Sequence, residues 1–177
     1  MKALPKLEFR VAGKPQKDLD NETSNALKNL RKCPNVEFVG FLKRSEVNTF
    51  LSSAYLLLNT SHYEGFSNTF LEALAAGTPI VCTQKVDPDE IVTTNNLGFA
   101  CENYEQIPAA IQKLLKEEKY LAACKRCRKY ILKAHDHREL TRQLLNYLKN
   151  QEGGDLFRKG HLLSHIENEK KKHLHFH

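Results

Sequence analysis

At 177 residues, 41% of them hydrophobic, the chain is long enough for one domain with a real core, and it holds no apolar run near the roughly 18 residues that span a bilayer. Met1–Pro5 lead straight toward a strand, which argues against a signal peptide. The net charge of +6 is uneven: residues 1–112 hold eleven Lys/Arg against thirteen Asp/Glu, residues 113–142 ten against four, and the remainder six against four.

Leu7–Ala12 reads as a strand ended by Gly13, and Lys14-Pro15-Gln16 as a loop. Leu19, Thr23, Ala26, Leu27 and Leu30 then recur at helical spacing. Pro34-Asn35 turns the chain into a strand at Val36–Val39, closed by Gly40 and followed by Phe41. Ser45 is a candidate cap for a short helix burying Val47, Phe50 and Leu51. Tyr55–Leu58 is wholly apolar, as a parallel strand covered on both faces should be.

The stretch Asn59–Thr83 organises the rest. Glu64 and Glu72 bracket a tight loop in which Gly65 allows a turn or a close ligand approach. Ser67 and Asn68 are both N-cap residues, the run Thr69–Ala76 is rich in helix formers, and Gly77 and Pro79 end the helix. Ile80–Cys82 is a buried strand. A helix N-terminus offers unpaired N–H groups and partial positive charge, which suits phosphate. Glu72 lies too far into the helix to cap it and is placed to hold ligand hydroxyls. Phosphate between two polyols describes a nucleotide sugar.

Beyond it, Asp87–Glu90 opens a short helix and Phe99–Cys101 is a further strand. Three helices follow, with apolar faces at Tyr104, Ile107, Ile111, Leu114 and Leu115, then Tyr120, Cys124, Cys127 and Ile131, then Leu140, Leu144, Tyr147 and Leu148. The expected architecture is α/β: a doubly wound, Rossmann-like parallel sheet with C-terminal helices, its ligand beyond the carboxyl ends of the strands. Residues 1–150 form the nucleotide-sugar-binding domain, and residues 151–177 a basic, His-containing tail.

The five cysteines fit no disulfide framework and read as reduced thiols in a cytosolic chain. On that reading the sequons at Asn21 and Asn59 are chance matches. Cys124 and Cys127 lie on an apolar stripe without a second pair, which favours buried thiols over a metal site. His62 is given no role.

EGFSNTFLEALAAGTPIV resembles the Glu-x7-Glu signature of the retaining glycosyltransferases of family 4, group 1, which have the GT-B fold. The resemblance implies that Glu64 contacts the transferred sugar as the catalytic carboxylate. Gly65, Phe66, Ser67 and Asn68 then cradle the donor diphosphate, Thr69 belongs to the donor site, and Glu72 holds the ribose. NVEFVGF resembles the segment whose following loop meets the base, which adds Gly40 and Phe41; Gly13, like Gly40, follows a strand and should point at the same crevice. DPDEIVTTNNLGFACEN resembles a later family segment, and the match spans about residues 5–148. Ser67 stands where the family often has Pro or Gly, and Thr60 where Pro is common; neither change touches a carboxylate. The implied ligand is a UDP- or GDP-sugar, with no cofactor and no metal.

GT-B enzymes pair two such domains, with the acceptor in the N-terminal one. Here the resemblance begins at the family's second C-terminal-domain strand, so the first strand and its phosphate-facing Arg and Lys lack counterparts. The reading is therefore the donor half of a retaining hexosyltransferase, with its acceptor domain or a partner chain elsewhere. A non-catalytic nucleotide-sugar module is the alternative. A third reading is an interaction protein whose basic helices meet membrane or nucleic acid. The surplus of cations over 113–142 is either a solvated face or a peripheral membrane contact; no nucleic acid is expected. If the first strand is missing, Leu7–Ala12 and Tyr55–Leu58 must either pair directly or leave open edges.

Overall fold

The computed structural model describes residues 3–14, 18–61, 65 and 67–151. Two compact units divide the chain, the first ending at Leu132 and the second beginning at Lys133.

The first unit alternates strands and helices: β1 (Phe9–Ala12), α1 (Asn21–Arg31), β2 (Val36–Gly40), α2 (Arg44–Ser52), β3 (Leu57–Asn59), α3 (Asn68–Ala76), β4 (Ile80–Thr83), α4 (Ile91–Thr94), β5 (Gly98–Cys101), α5 (Ile107–Leu114) and all but the last two residues of α6 (Glu117–Ala134). Every pairing is parallel. The strands form two groups, β1 beside β2 and β3-β4-β5 in that order. The expected α/β parallel fold is therefore present, but its sheet is interrupted. Among the described residues β1 makes no ladder with β3, and each keeps one open edge.

One strand carries the core. All four residues of β4 are buried, and their alternation sends side chains to opposite faces. Ile80 and Cys82 join Phe70, Leu74, Val86, Val92, Leu97 and Cys127 on one side. Val81 joins Cys101, Ile107, Ile111, Leu114 and Ala123 on the other. Leu4, buried at the entry to β1, belongs to this second cluster, and Leu7, Phe9, Leu56 and Leu58 rest on it. Side chains thus join β1 and β3 to one core where no backbone bonds do.

Several expectations are corrected. β3 begins at Leu57, and Tyr55 is exposed, its ring 5.5 Å from that of Tyr120. β3 is half-buried because only one of its edges is paired. Ser45 lies inside α2 rather than capping it: Lys43 is the N-cap residue, and its N–H donates to the Glu46 carboxylate at 2.7 Å. Of Val47, Phe50 and Leu51, only Leu51 is fully buried. In α1, Thr23 and Ala26 are exposed; Thr23 serves the cap, its N–H donating to Asp20 at 2.8 Å. Tyr104 is exposed and Cys124 half-buried.

The second unit is described through α7 (His137–Gln151). Its expected apolar face is not covered: Leu140, Leu144 and Tyr147 are exposed and Leu148 is half-buried. An Arg142–Glu139 pair at 2.6 Å and a Gln143 hydrogen bond hold the Glu139 carboxyl down at about 2.

Candidate functional site

The loop between β3 and α3 begins where Asn59, the last residue of β3, turns the backbone: its side-chain oxygen accepts the Ser61 N–H at 2.9 Å. The Tyr104 hydroxyl donates to the Thr60 carbonyl at 3.4 Å, tying this exit to the segment after β5. Glu64, Phe66 and His62 lie outside the described residues, so the expected catalytic carboxylate receives no geometry. Gly65 is exposed, and among the described residues, chain neighbours aside, no atom lies within 4 Å of where a Cβ would stand.

Ser67 is the N-cap residue of α3, in extended conformation, but its side chain makes no capping hydrogen bond and no acid lies in the first turn. The positive end of this helix is thus not matched by its own side chains. Asn68 and Thr69 are exposed there, while Phe70, Ala73 and Leu74 are fully buried and fix the helix axis. At the far end Gly77 adopts a left-handed conformation (φ 81°), and the Arg128 guanidinium donates to the Ala76 carbonyl at 3.4 Å.

Glu72 is half-buried. It stands four residues after Asn68, about 6 Å along the axis, and helical side chains lean toward the N-terminus. Its carboxylate and the first-turn N–H groups therefore address the same end of α3. That arrangement can hold an anion at the helix start and hydroxyls beside it.

The glycines expected at the base end of the site stand at the carboxyl ends of β1 and β2. Gly13 (φ 118°) donates its N–H to the Gly40 (φ 77°) carbonyl at 2.7 Å. Both conformations favour glycine. Phe41 follows, 66% exposed, with the Lys14 ammonium 5.5 Å from its ring centre. An uncovered ring of this kind is a stacking surface.

Three features stand at the carboxyl end of β4, of which the sequence reading holds only that Asp87–Glu90 opens a short helix. Thr83 is buried, and its hydroxyl has no hydrogen-bond partner among the described residues. Asp87 takes the N–H groups of Val92 and Thr93 at 2.9 and 3.1 Å and the Thr93 hydroxyl at 2.8 Å, which anchors α4. Between them Asp89 and Glu90 both hold left-handed backbone (φ 51° and 54°). Non-glycine residues so held carry a cost of order 1–3 kcal/mol each. Only the Asp-Pro pair in the sequence hints at this turn.

Three of the five thiols are buried and poorly ionised. Burial pushes Cys82 and Cys127 up to about 12, and raises Cys101 as well. Among the described residues no group of His, Cys, Asp and Glu could hold a metal ion, and no helix is long and apolar enough to cross a membrane.

Residues 1–137 match the family model described as Glycosyl transferases group 1. Over 88 residues the chain is 35% identical to a 2-deoxystreptamine N-acetyl-D-glucosaminyltransferase of Niallia circulans, covering 49% of this chain and 22% of the relative. It is 34% identical over 82 residues to a glycogen synthase of Mycobacterium tuberculosis, covering 45% and 20%. The chain thus aligns with about a fifth of each curated relative's length. In structure it resembles Anabaena HepE in complex with UDP-glucose (TM-score 0.68, 16% identity, 84% of this chain and 43% of that one). It also resembles the sucrose-phosphate synthase of Thermosynechococcus elongatus (TM-score 0.67, 18% identity, 86% and 41%).

Proposed function

Because this chain belongs to the group 1 glycosyl transferases, we propose that it is the donor-binding part of a retaining family 4 glycosyltransferase, taking the sugar from a UDP- or GDP-sugar. The observation that carries this is the start of α3, exposed, uncapped and free of first-turn acids, with Glu72 one turn behind it. The donor diphosphate sits on the N–H groups of Ser67, Asn68 and Thr69, with Gly65 and Phe66 in the loop around it. Glu72 takes the ribose hydroxyls, and the base lies along Gly13, Gly40 and Phe41. Glu64 contacts the transferred sugar and acts at the reacting centre. The site needs no metal: the helix terminus supplies the positive field. Residues 1–150 act as the donor domain and 151–177 as a tail.

The acceptor half comes from a further domain or a separate chain. The interrupted sheet favours a second reading, a nucleotide-sugar module that turns over nothing until a partner completes it. A cytoplasmic location with peripheral membrane contact belongs to the same proposal.

Calorimetry of the chain with UDP, GDP and their sugar conjugates, with and without EDTA, tests the reading. Micromolar binding of one nucleotide class, unchanged by EDTA, is expected. No binding of any of them removes the donor assignment. Product formation only on mixing with an acceptor-domain chain separates the catalytic reading from the module.

A further inference from the structure

A cleft of about 260 Å³ lies at the amino end of β5, between that strand and the helices packed on it. Gly98 and Phe99 of β5, Leu114 of α5 and Ala122 and Ala123 of α6 line its apolar part. The donor loops leave the opposite, carboxyl ends of the strands. β5 alone rises about 10 Å between the two ends, so the cleft is separate from the site already described.

Two sets of hydrogen-bonding groups in its lining lack partners. The Leu97 carbonyl accepts the Ile80 N–H at 3.1 Å. Alternate residues of a parallel strand bond to opposite neighbours, so Gly98 turns its N–H and carbonyl away from β4. β5 is the last strand of its group, and among the described residues no strand pairs with that outer edge. The second set belongs to Arg126. Its Nε donates at 2.7 Å to the carbonyl of Asn96, a residue in left-handed backbone (φ 52°). That bond fixes the guanidinium plane. Its terminal N–H groups have no hydrogen-bond or ion-pair partner among the described residues. A guanidinium held in this way is a planar fork set for a carboxylate.

The far end of the cleft has a different character. Glu118, Ala122 and Arg126 recur every four residues, so they stand along one side of α6. Glu118 is about 12 Å from Arg126 along the axis, with Lys119 beside it in the lining. The Glu118 carboxylate repels a second anion and accepts a hydroxyl. Size narrows the occupant further. An apolar cavity of about 150 Å³ holds a benzene ring, and drug-sized ligands take about 300–1,000 Å³. The cleft lies between, with room for one ring and its substituents. A peptide strand would pair along the whole of β5, whereas the cleft reaches only its first two residues.

We propose that this cleft binds a small ring-bearing carboxylate. The acid sits on the Arg126 fork, the ring lies between Phe99 and Ala122, and a hydroxyl at the other end donates to Glu118. The Gly98 N–H is a further donor at the wall of the cleft.

Amide NMR of the full chain, isotopically labelled and titrated with para-hydroxybenzoate, tests the proposal. The Gly98 and Phe99 amides should shift together, with a dissociation constant in the millimolar range for a ligand of about ten heavy atoms. The neutral para-hydroxybenzamide, which fills the same space, should bind about tenfold more weakly. Arg126→Gln should lose a similar factor. Ala122→Leu fills the cleft, removes no charge and keeps a good helix former; it should abolish the shifts. Far-UV circular dichroism reports that both variants are folded. Four results overturn the proposal: no shift at Gly98 and Phe99, equal affinity for the acid and the amide, undiminished binding by folded Ala122→Leu, or phenyl phosphate binding more tightly than the carboxylate.

Discussion

Replacing Gly98 by alanine should unlatch β5 from β4. A Cβ built on Gly98 would lie 1.7 Å from the Ile80 carbonyl oxygen, 2.7 Å from its carbon and 2.8 Å from its nitrogen. All three are backbone atoms of the central strand, paired with Gly98 in register, so no side-chain rotation relieves the contact. An ordinary carbon–oxygen approach is about 3.3 Å or more, which asks the strands to separate by about 1.5 Å. That breaks the Ile80 N–H to Leu97 carbonyl bond, now 3.1 Å, and its neighbour in the ladder. Two buried bonds lost at about 1–3 kcal/mol each give roughly 2–6 kcal/mol, a large share of a margin of about 5–15 kcal/mol. Gly77→Ala is the internal control. There a Cβ meets the Arg128 Nε at 2.5 Å, an atom near the end of a long side chain that can swing away. The left-handed φ of 81° then leaves a cost of about 1–2 kcal/mol. Urea unfolding followed by circular dichroism reads both. With a slope of about 2 kcal/mol per molar, Gly98→Ala should lower the midpoint by about 1–3 M and Gly77→Ala by less than about 1 M. A Gly98→Ala shift no larger than that of Gly77→Ala would refute the reasoning.

Glu72→Ala should weaken UDP- or GDP-sugar binding tenfold to a hundredfold, since a charged hydrogen bond to a ligand is worth about 1.5–3 kcal/mol; unchanged calorimetric affinity would take Glu72 out of the donor site. If Glu64 touches only the transferred sugar, Glu64→Gln should weaken the sugar nucleotide while sparing the bare diphosphate, and equal losses for both would place it elsewhere. Thiol titration at pH 8 should find Cys33 and Cys124 reactive, both half-buried. Cys82, Cys101 and Cys127 should react only on unfolding, because burial raises all three thiols. Rapid labelling of Cys82 in the folded chain would contradict the closed packing around β4.

Much of the fold was legible because glycine and proline punctuate it. Pro79 and the left-handed Gly77 bracket the end of α3, and β4 starts at once after them. The start of α3 at Ser67 and the place of Glu72 along it were readable for the same reason: helix start, apolar anchors and carboxylate are all local features. Burial was less legible. Tyr-Leu-Leu-Leu reads as a strand covered on both faces, yet β3 is half-buried, because coverage depends on a neighbouring strand that composition does not report. The apolar stripe of α7 satisfied the helical period but lies open. Lys43 escaped notice as the cap of α2 because the rule looks for a hydroxyl or amide, whereas here Glu46 reaches back to the backbone. The left-handed Glu90 is a residue type that announces nothing of the kind, and Asp89 does so only weakly. Glu64 and Phe66 were named from sequence and lie outside the described residues.

The open edges of β1 and β3 are the point at which fold and function meet. In a parallel pair, alternate residues bond to opposite neighbours. Phe9 donates to the Asn35 carbonyl and Gly13 to the Gly40 carbonyl, so Arg10 turns its N–H away from β2. Leu57 donates to the Pro79 carbonyl, so Leu58 turns its N–H away from β4. Both strands nevertheless rest side chains on one apolar cluster, which holds the two open edges to a common core. A further parallel strand accepted there would bond Arg10 and Leu58, and would place its own carboxyl end beside the loops that begin at Gly13 and Thr60. Such a strand would complete the donor site as well as the sheet. Hydrogen exchange separates the alternatives. In this chain alone the Arg10 and Leu58 amides should exchange far faster than those of Val11 and Asn59, which face paired neighbours. In a longer polypeptide that supplies the strand, all four should be slow. Slow exchange at Arg10 and Leu58 in this chain alone would mean that the edges are already paired, and the partner-dependent reading would then fail.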